Sequence, residues 1–540
     1  MHTIRRYLGI FILFMLPIGI CAQTHDYSDC SSIVMDEPSL AHVNITGIEV
    51  LPTGKEDNLH AWLEYSDDKG VSFKKRVIVN AQGATSLRYP KKNLSVDFCE
   101  DEWIGEKTTG ITIGNWIKQD AFHFKAGWLD SFRGGLAVAT AYKFYDDITG
   151  DRPHVLERAG LTDYSPKALC HPDGFPCIVY LNGEFYGIYA WQLKKHRKNM
   201  GMEKDNPLQV WFQLETYTNS FSSGEVKWND ISIRNPKVVT EESKDIIRNL
   251  ANYHNELTAM SHTMSDDGMR QEIAKRYDTA SFIDFIIYGI ITSNIDGIGK
   301  NAQLFTYDGT KWFVAPYDLD ETFGISWIGT FIFPPEWSWI STRYDMENYT
   351  NSVPYYWIKT YYWQDIRDRY AALRKSGTIS AEGLLRHLTD WNRRVGTDYY
   401  TLEYDKWSTC PSNGHPLYND QWMLIEDWSD YYSLPSYDSD RAYSVGDCCT
   451  YNYRIWKATV PVKGIPPVAE NGYTDTEERV RSWIKRRIEL EDEYLGYCTT
   501  DDVPSTYPSK AKRPVTKRLI NRNIIISAGE KNYHINGMQK

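Results

Sequence analysis

Four oxygen-bearing side chains stand close together in this sequence: Asp296, Asn301, Asp318 and Asp320. A hard divalent cation takes such carboxylate and amide oxygens as ligands. Asp296 and Asn301 are spaced D-x-x-x-x-N, and Asp318-Leu319-Asp320 follows. One carboxylate can accept the proton of an attacking hydroxyl. An amide and a later carboxylate can hold a metal on phosphate oxygens, and together these parts suit phosphoryl transfer. Alone, D-x-x-x-x-N is a chance pattern in a long chain and DLD a solvated turn, so the elements around them must carry the argument.

The stretch Ser281–Ile291 is apolar on almost every side and predicts a buried helix, which delivers Asn294 and Asp296 to a Gly-rich turn. Two β-rich runs follow, Ala302–Tyr307 and Lys311–Tyr317, joined at Asp308-Gly309, a strong hairpin signal. Upstream, the strand Arg76–Asn80 leads into the small-residue turn Gln82-Gly83-Ala84-Thr85-Ser86 and then Pro90-Lys91-Lys92. Backbone amides of such a turn can face phosphates; an ordinary hairpin with surface lysines is the plainer alternative. A short strand, Phe122–Ala126, carries Lys125, so Lys92 and Lys125 compete for the phosphate-pairing role. Cys177–Tyr189 predicts two strands about Asn182-Gly183, and Thr240–Leu257 an amphipathic helix.

Together these blocks resemble the spore coat protein H (CotH) kinase family. The resemblance rests on Asn294, Asp296 and Asn301, then Pro316-Tyr317-Asp318-Leu319-Asp320 and Thr322-Phe323-Gly324, with the Gly-Ser loop, its P-K-K and the hairpin N-G-E-F-Y-G-I-Y upstream. After Lys125 only Asp130 and Arg133 carry over, because Gly134 stands where Asn is usual. Where many members carry a Glu to orient the lysine, this chain has Gln192. The resemblance spans roughly residues 45–495, interrupted at 437–475. It implies an α+β, atypical protein-kinase-like two-lobed fold, with an N-terminal β segment and a small β insertion near the C-terminus. It also implies a catalytic Asp296, nucleotide contacts from Gln82, Gly83, Ser86 and Lys92 or Lys125, and metal ligation by Asn301, Asp318 and Asp320. The cofactors would be ATP with Mg²⁺ or Mn²⁺, and the acceptor a Ser or Thr of an exported or surface protein. The alternative is a catalytically inactive kinase scaffold that binds a surface or a glycan.

Composition limits the other classes. A net charge of −11 over 540 residues argues against general nucleic-acid binding, and 42% hydrophobic residues supply ample core. No internal apolar run is long enough to suggest a membrane span. Arg5 and Arg6 before the apolar run Tyr7–Ile20, with cleavage after Ala22, predict a signal peptide and a secreted, periplasmic or cell-surface protein. Ile20 is a poor residue before a lipidated Cys21. Eight cysteines would remain, and Cys170 with Cys177 would close a small loop. The expected divisions are 1–22, signal peptide; 23–65, N-terminal β segment; 66–436, kinase-like domain; 437–475, insertion; 476–499, final helix of the kinase region; and 500–540, linker and β-like tail. The insertion, with Tyr443, Tyr453 and Trp456, resembles small chitin- or cellulose-binding modules and implies a polysaccharide partner. Two further classes fit the acids alone. Asp318-x-Asp320-x-Thr322 matches a haloacid dehalogenase phosphatase, which needs a parallel α/β sheet, and D-x-D also suits a glycosyltransferase.

Overall fold

Alternating buried and half-exposed residues in the first strands, and continuous buried runs in the last, close the first half of the chain into a barrel. The structure is a computed structural model describing residues 33–99, 110–128, 141–216, 225–294, 296–297, 300–319, 322–324, 335, 353–407, 435–451, 454–474, 476–498, 515–520, 523–528 and 531–534. Val34–Met35 (β1) pairs in parallel with Thr112–Ile113 (β6). Ala41–Thr46 (β2), Leu59–Asp67 (β3), Ser72–Gln82 (β4), Asn93–Phe98 (β5), Ala121–Lys125 (β7), Gly174–Leu181 (β8) and Glu184–Leu193 (β9) form a closed barrel in the order β2-β3-β4-β5-β7-β9-β8. All neighbours are antiparallel except β2 and β8, whose parallel pairing closes the ring. Val43, Leu63, Val79, Leu94, Val96, Phe122, Phe124 and Trp191 point into one dry core. The Asn182-Gly183 turn has positive φ at both residues, 51° and 84°, as its hairpin type requires. The boundary expected at residue 66 falls inside the β3–β4 hairpin, which pairs from Leu59↔Val79 to Ser66↔Ser72.

Helices gather around a second, flat sheet. Val210–Leu214 (β10), Ile231–Asn235 (β11), Gln303–Thr306 (β12) and Trp312–Ala315 (β13) run β11-β10-β12-β13, antiparallel throughout. The described α-helices of seven residues or more are Lys143–Thr149 (α1), Glu241–Ser261 (α2), Asp266–Arg276 (α3), Thr279–Thr292 (α4), Val353–Tyr361 (α5), Trp363–Lys375 (α6), Ala381–Val395 (α7), Thr397–Lys406 (α8) and Thr476–Leu495 (α9). Thr240 starts α2 with a capping box. The centre of this half is α4, buried from Ser281 to Thr292 and packed on α1, α5, α6, α9 and β13. Its start is fixed by Asp278, which accepts from the Ser281 N–H at 3.0 Å. Asp284, buried inside this helix, is neutralised by Arg152 at 2.6 Å and by Arg369 at 2.9 Å. The α+β class is therefore as expected; the closed barrel is not what the two-lobed expectation described.

The segment 437–475 folds as short strands over a core of its own, formed by Tyr443, Cys449, Trp456, Ala458 and Tyr473. Trp456 is only 4% exposed. It is packing rather than a sugar-stacking platform, which corrects that part of the expectation; Tyr453 lies outside the described residues. Cys170 and Cys177 stand as separate thiols, not a disulfide. Cys177 faces the barrel core, whereas Cys170 contacts the Tyr307 hydroxyl at 3.6 Å. Residues 496–540 form a separate unit containing the antiparallel strands Val515–Ile520, Asn523–Ala528 and Lys531–His534. No described helix is long and apolar enough to cross a membrane. The expected signal peptide, Asp130, Arg133 and Asp320 lie outside the described residues.

Removing Asp284 would leave two guanidinium groups facing each other across α4. Asp284→Ala should therefore lower the unfolding free energy by about 3–5 kcal/mol, read from the urea midpoint, with no new intermediate.

Candidate functional site

The barrel strands that send Phe122, Phe124, Leu94 and Val96 inward send their alternate side chains to a cavity of about 1280 Å³. Its ceiling is Gln82 of β4, Asn93 and Ser95 of β5, His123 and Lys125 of β7, and Gln192 of β9. Its floor is Gln213, Arg234, Asp296, Asn301 and Asp318, from the flat sheet and the loops beside it. The expected nucleotide and metal residues Gln82, Gly83, Ser86, Lys125, Asn301 and Asp318 thus meet in one place with Asp296, although they come from opposite halves of the chain.

The floor is built by the end of α4 and the β12–β13 hairpin. Ser293 terminates the helix at φ 51°. Asn294 then accepts from the Gly297 N–H at 3.0 Å and shapes the turn that presents Asp296. A Cβ at 297 would lie 2.0 Å from Asn294 Nδ2, so this turn needs glycine. Asn301 Nδ2 donates to Asp296 Oδ2 at 2.5 Å, and Gln213 Nε2 donates to Asn301 Oδ1 at 2.9 Å. Lys300 Nζ stands 3.6 Å from the other Asp296 oxygen. The Asp318 N–H donates to the Tyr142 hydroxyl at 3.2 Å, with Asp318 itself at φ 56°. Ser293, Asn301, Asp318 and Phe323 all hold positive φ within this one stretch. Such backbone strain gathers where surrounding structure fixes a functional geometry.

Asn301 and Asp318 offer hard oxygens to the same cavity, which is the donor chemistry Mg²⁺ or Mn²⁺ takes. The Asn301 amide now bonds Asp296 and Gln213; turned over, its oxygen would face the Asp296 carboxylate, an arrangement a shared cation would favour. Among the described residues no three His, Cys, Asp or Glu side chains form a metal cluster. Asp320 lies outside them.

At the ceiling, Gly83 has φ 123°, and a Cβ there would fall 1.8 Å from Ser86 Oγ. Ser86 Oγ donates to the Gln82 carbonyl at 3.2 Å, so the small-residue loop closes on itself. Gln82, Gly83, Ser86 and Lys125 line the cavity as expected, but Lys92 does not. Its ammonium donates to the Leu87 and Tyr89 carbonyls at 2.7 and 2.5 Å and ties the loop from behind. The cavity-facing neighbour is Lys91, 1% exposed. Lys91 donates to Glu403 at 2.6 Å, to the Ala126 carbonyl at 3.0 Å and to the Ile188 carbonyl at 2.5 Å, which uses all three of its protons. Glu403, from α8, also accepts from the Ile188 N–H at 2.7 Å, and burial pushes its carboxyl up in pKa. Neither partner was singled out in the sequence. Counting back from Leu94, Val96 and Phe98 would have put Lys91 on the cavity face, whereas nothing near Glu403 announces its role.

Gln192 does not meet the buried lysine pair through its amide nitrogen, which has no hydrogen-bond partner among the described residues; the same holds for His123 Nδ1 and Gln82 Oε1. Burial, with Lys125, Lys194 and Lys195 nearby, holds His123 well below the usual imidazole pKa, so it is a neutral ring. Tyr89 and Trp128 flank the cavity as near-parallel rings 6.4 Å apart. The basic run Leu193–Arg197 reads from sequence as a solvated helix start, but no helix begins there, and its Lys195 lies 3.7 Å from the Tyr317 ring centroid and donates to Gln213 Oε1 at 2.5 Å. Burial, then Arg234 and Lys125, pulls its pKa from 10.5 to about 7 against the opposing pull of Asp318.

The phosphatase alternative fails on architecture. Asp318-x-Asp320-x-Thr322 follows β13 of an antiparallel sheet, not the first strand of a parallel one. The glycosyltransferase alternative likewise finds no parallel sheet here among the described strands of this half. Residues 79–375, more than half of the chain, match the family model described as CotH kinase protein. No curated protein matches the chain. The match begins inside β4 and ends with α6, so it contains the cavity floor but neither β2, β3 nor Glu403.

The two adjacent lysines should fail differently. Lys91→Met strands a buried carboxylate and should cost about 3–5 kcal/mol in thermal or urea unfolding. Lys92→Met, which only frees two carbonyls near water, should cost about 1 kcal/mol. A second expectation concerns Lys195. Its neutral amine, the form that reacts with acylating reagents, should appear with a midpoint near pH 7, whereas exposed lysines titrate near ~10.4. Mass-spectrometric mapping of acylation across pH checks this, and Lys195→Arg should remove the early phase.

Proposed function

Because the chain belongs to the CotH kinase protein family, we propose that it transfers the γ-phosphoryl group of ATP to a Ser or Thr hydroxyl of an exported or surface protein. The observation that carries this is the meeting of Asp296, Asn301 and Asp318 in one cavity with the Gly83 loop and Lys125. In this reading the barrel is the upper lobe and the helical half with its flat sheet the lower one.

Asp296 accepts the acceptor's hydroxyl proton as the oxygen attacks. Its orientation is set by the Asn301 amide on one oxygen and Lys300 near the other. Asn301 and Asp318 would hold Mg²⁺ or Mn²⁺, which when bound neutralises charge on the transferring phosphate. Lys125 and Lys195 face the same space and favour the phosphates, and an anion arriving there would favour the protonated form of Lys195. The near-parallel Tyr89 and Trp128 rings supply an aromatic flank for the base. Loss of positioning here is costly because phosphoryl transfer asks the protein for geometry and charge, not covalent chemistry.

A second reading, a silent scaffold that binds surfaces or glycans, draws on the scarcity of ATP outside the cytoplasm and on Gln192 in place of an acid. Lys91 nevertheless has a buried carboxylate partner in Glu403, so the missing charge at 192 does not by itself argue for inactivity. The N-terminal residues 1–22 support export of the chain.

The acids divide the labour, and their variants separate the readings. Asp296→Asn should retain Mg²⁺-dependent ATP binding in calorimetry yet lower transfer from γ-labelled ATP by ~10²-fold or more. Asp318→Asn should lose the metal-dependent part of binding itself. A parent protein that fails to bind Mg²⁺/ATP would leave only the scaffold.

A further inference from the structure

We infer that the acceptor is an acidic protein segment, recognised by a ring of lysines at the mouth of the cavity. This rests on the kinase reading for the reaction, and on charge and geometry for the recognition. The chain carries a net charge of −11, yet its cavity is lined by ten Lys or Arg against three acids, Glu215, Asp296 and Asp318. Composition therefore does not explain the basic lining; folding concentrates it there.

These cations fall into groups. Lys91 is consumed by Glu403, Lys194 lies 2.8 Å from Asp97, Arg234 lies 3.2 Å from Glu215, and Lys300 leans on Asp296. Arg197 donates to the Met202 carbonyl at 3.2 Å, and Lys125 and Lys195 face the phosphate space already assigned. Lys55, Lys204 and Lys237 remain, from three loops far apart in sequence: one between β2 and β3, one before β10 and one after β11. All three are exposed, and none makes an ion pair or hydrogen bond among the described residues. The nearby Asp57 is turned back onto the Thr53 and Gly54 N–H groups and does not neutralise the mouth.

The volume argues the same way. At about 1280 Å³ the cavity exceeds the ~300–1,000 Å³ that a small-ligand pocket takes, which leaves space beside a nucleotide for a second chain. An approaching polyanion would be steered by such a field and held by several weak contacts at once. In the reaction, the acceptor's hydroxyl oxygen forms the new bond to the γ-phosphorus as the bond to the β,γ-bridging oxygen breaks. The proton passes to Asp296 and then to water, and ADP leaves with the bridging oxygen.

The test uses the full chain and reads binding apart from catalysis. Three fluorescein-labelled peptides share one Ser and differ in flanks of Asp/Glu, Ala/Gln or Lys/Arg; anisotropy is followed at 50 and 300 mM NaCl. We expect the acidic peptide to bind at least tenfold tighter than the other two. That preference should collapse in the Lys55→Glu/Lys204→Glu/Lys237→Glu variant and weaken with salt. Far-ultraviolet circular dichroism and the melting temperature confirm that the variant folds. Equal or tighter binding of the neutral or basic peptide overturns the proposal, as does a variant whose acidic-peptide Kd is unchanged. Binding of polygalacturonate with no binding of the acidic peptide also overturns it, in favour of an acidic polysaccharide. Calorimetry with Mg²⁺/ATP on the same protein tells a failure of the nucleotide reading from a failure of this one.

Discussion

Closing a sheet on itself leaves each strand one face for the interior and one for everything else. The site depends on this constraint. Once Phe122 and Phe124 fill the barrel, His123 and Lys125 have to leave it, and the same parity turns Gln82, Ser95 and Gln192 outward. The ceiling of the cavity is the polar remainder of a packed core, so its side chains are held by backbone that cannot slip by one residue without exposing the core. A single-residue register error would exchange the two sets completely. That is a stronger restraint on a binding surface than any contact within it.

The floor is positioned by a different device. Helix α4 is too apolar to leave the interior, and its one charged residue is answered by two arginines. The turn after it must therefore emerge at a fixed place, and the strained residues Ser293, Asn301, Asp318 and Phe323 shape the backbone that follows. Packing sets where the acids arrive; local strain sets where they point. Removing strain at these positions would be expected to relax the backbone away from the geometry that brings Asp296 within a hydrogen bond of Asn301.

Local signals in the sequence were sufficient for much of this. The Asn182-Gly183 and Asp308-Gly309 turns, the buried helix and the joining of Asp296 to Asn301 follow from neighbours within a few residues. The choice between Lys91 and Lys92 depends on strand parity, which Leu94, Val96 and Phe98 carry and the P-K-K motif does not. The closing pair β2 and β8 and the carboxylate of Glu403 were not readable, because each is fixed by residues more than a hundred positions away. Trp456 shows the opposite failure: an aromatic pattern suited to a surface serves a small core, where burying a large ring contributes more than displaying it.

The pairing of Lys91 with Glu403 spans 312 positions of chain. At a synthesis rate of ~5–20 residues per second, the lysine is made about 15–60 s before its carboxylate exists. Once Leu193 has been added the barrel staves are complete in sequence, but until Glu403 follows the ammonium lacks this counter-charge with which to enter the interior. The first half of the chain therefore has a built-in reason to stay loosely closed until α8 arrives. A ribosome pausing between Leu193 and Glu403 would be holding a barrel with one lysine still in water.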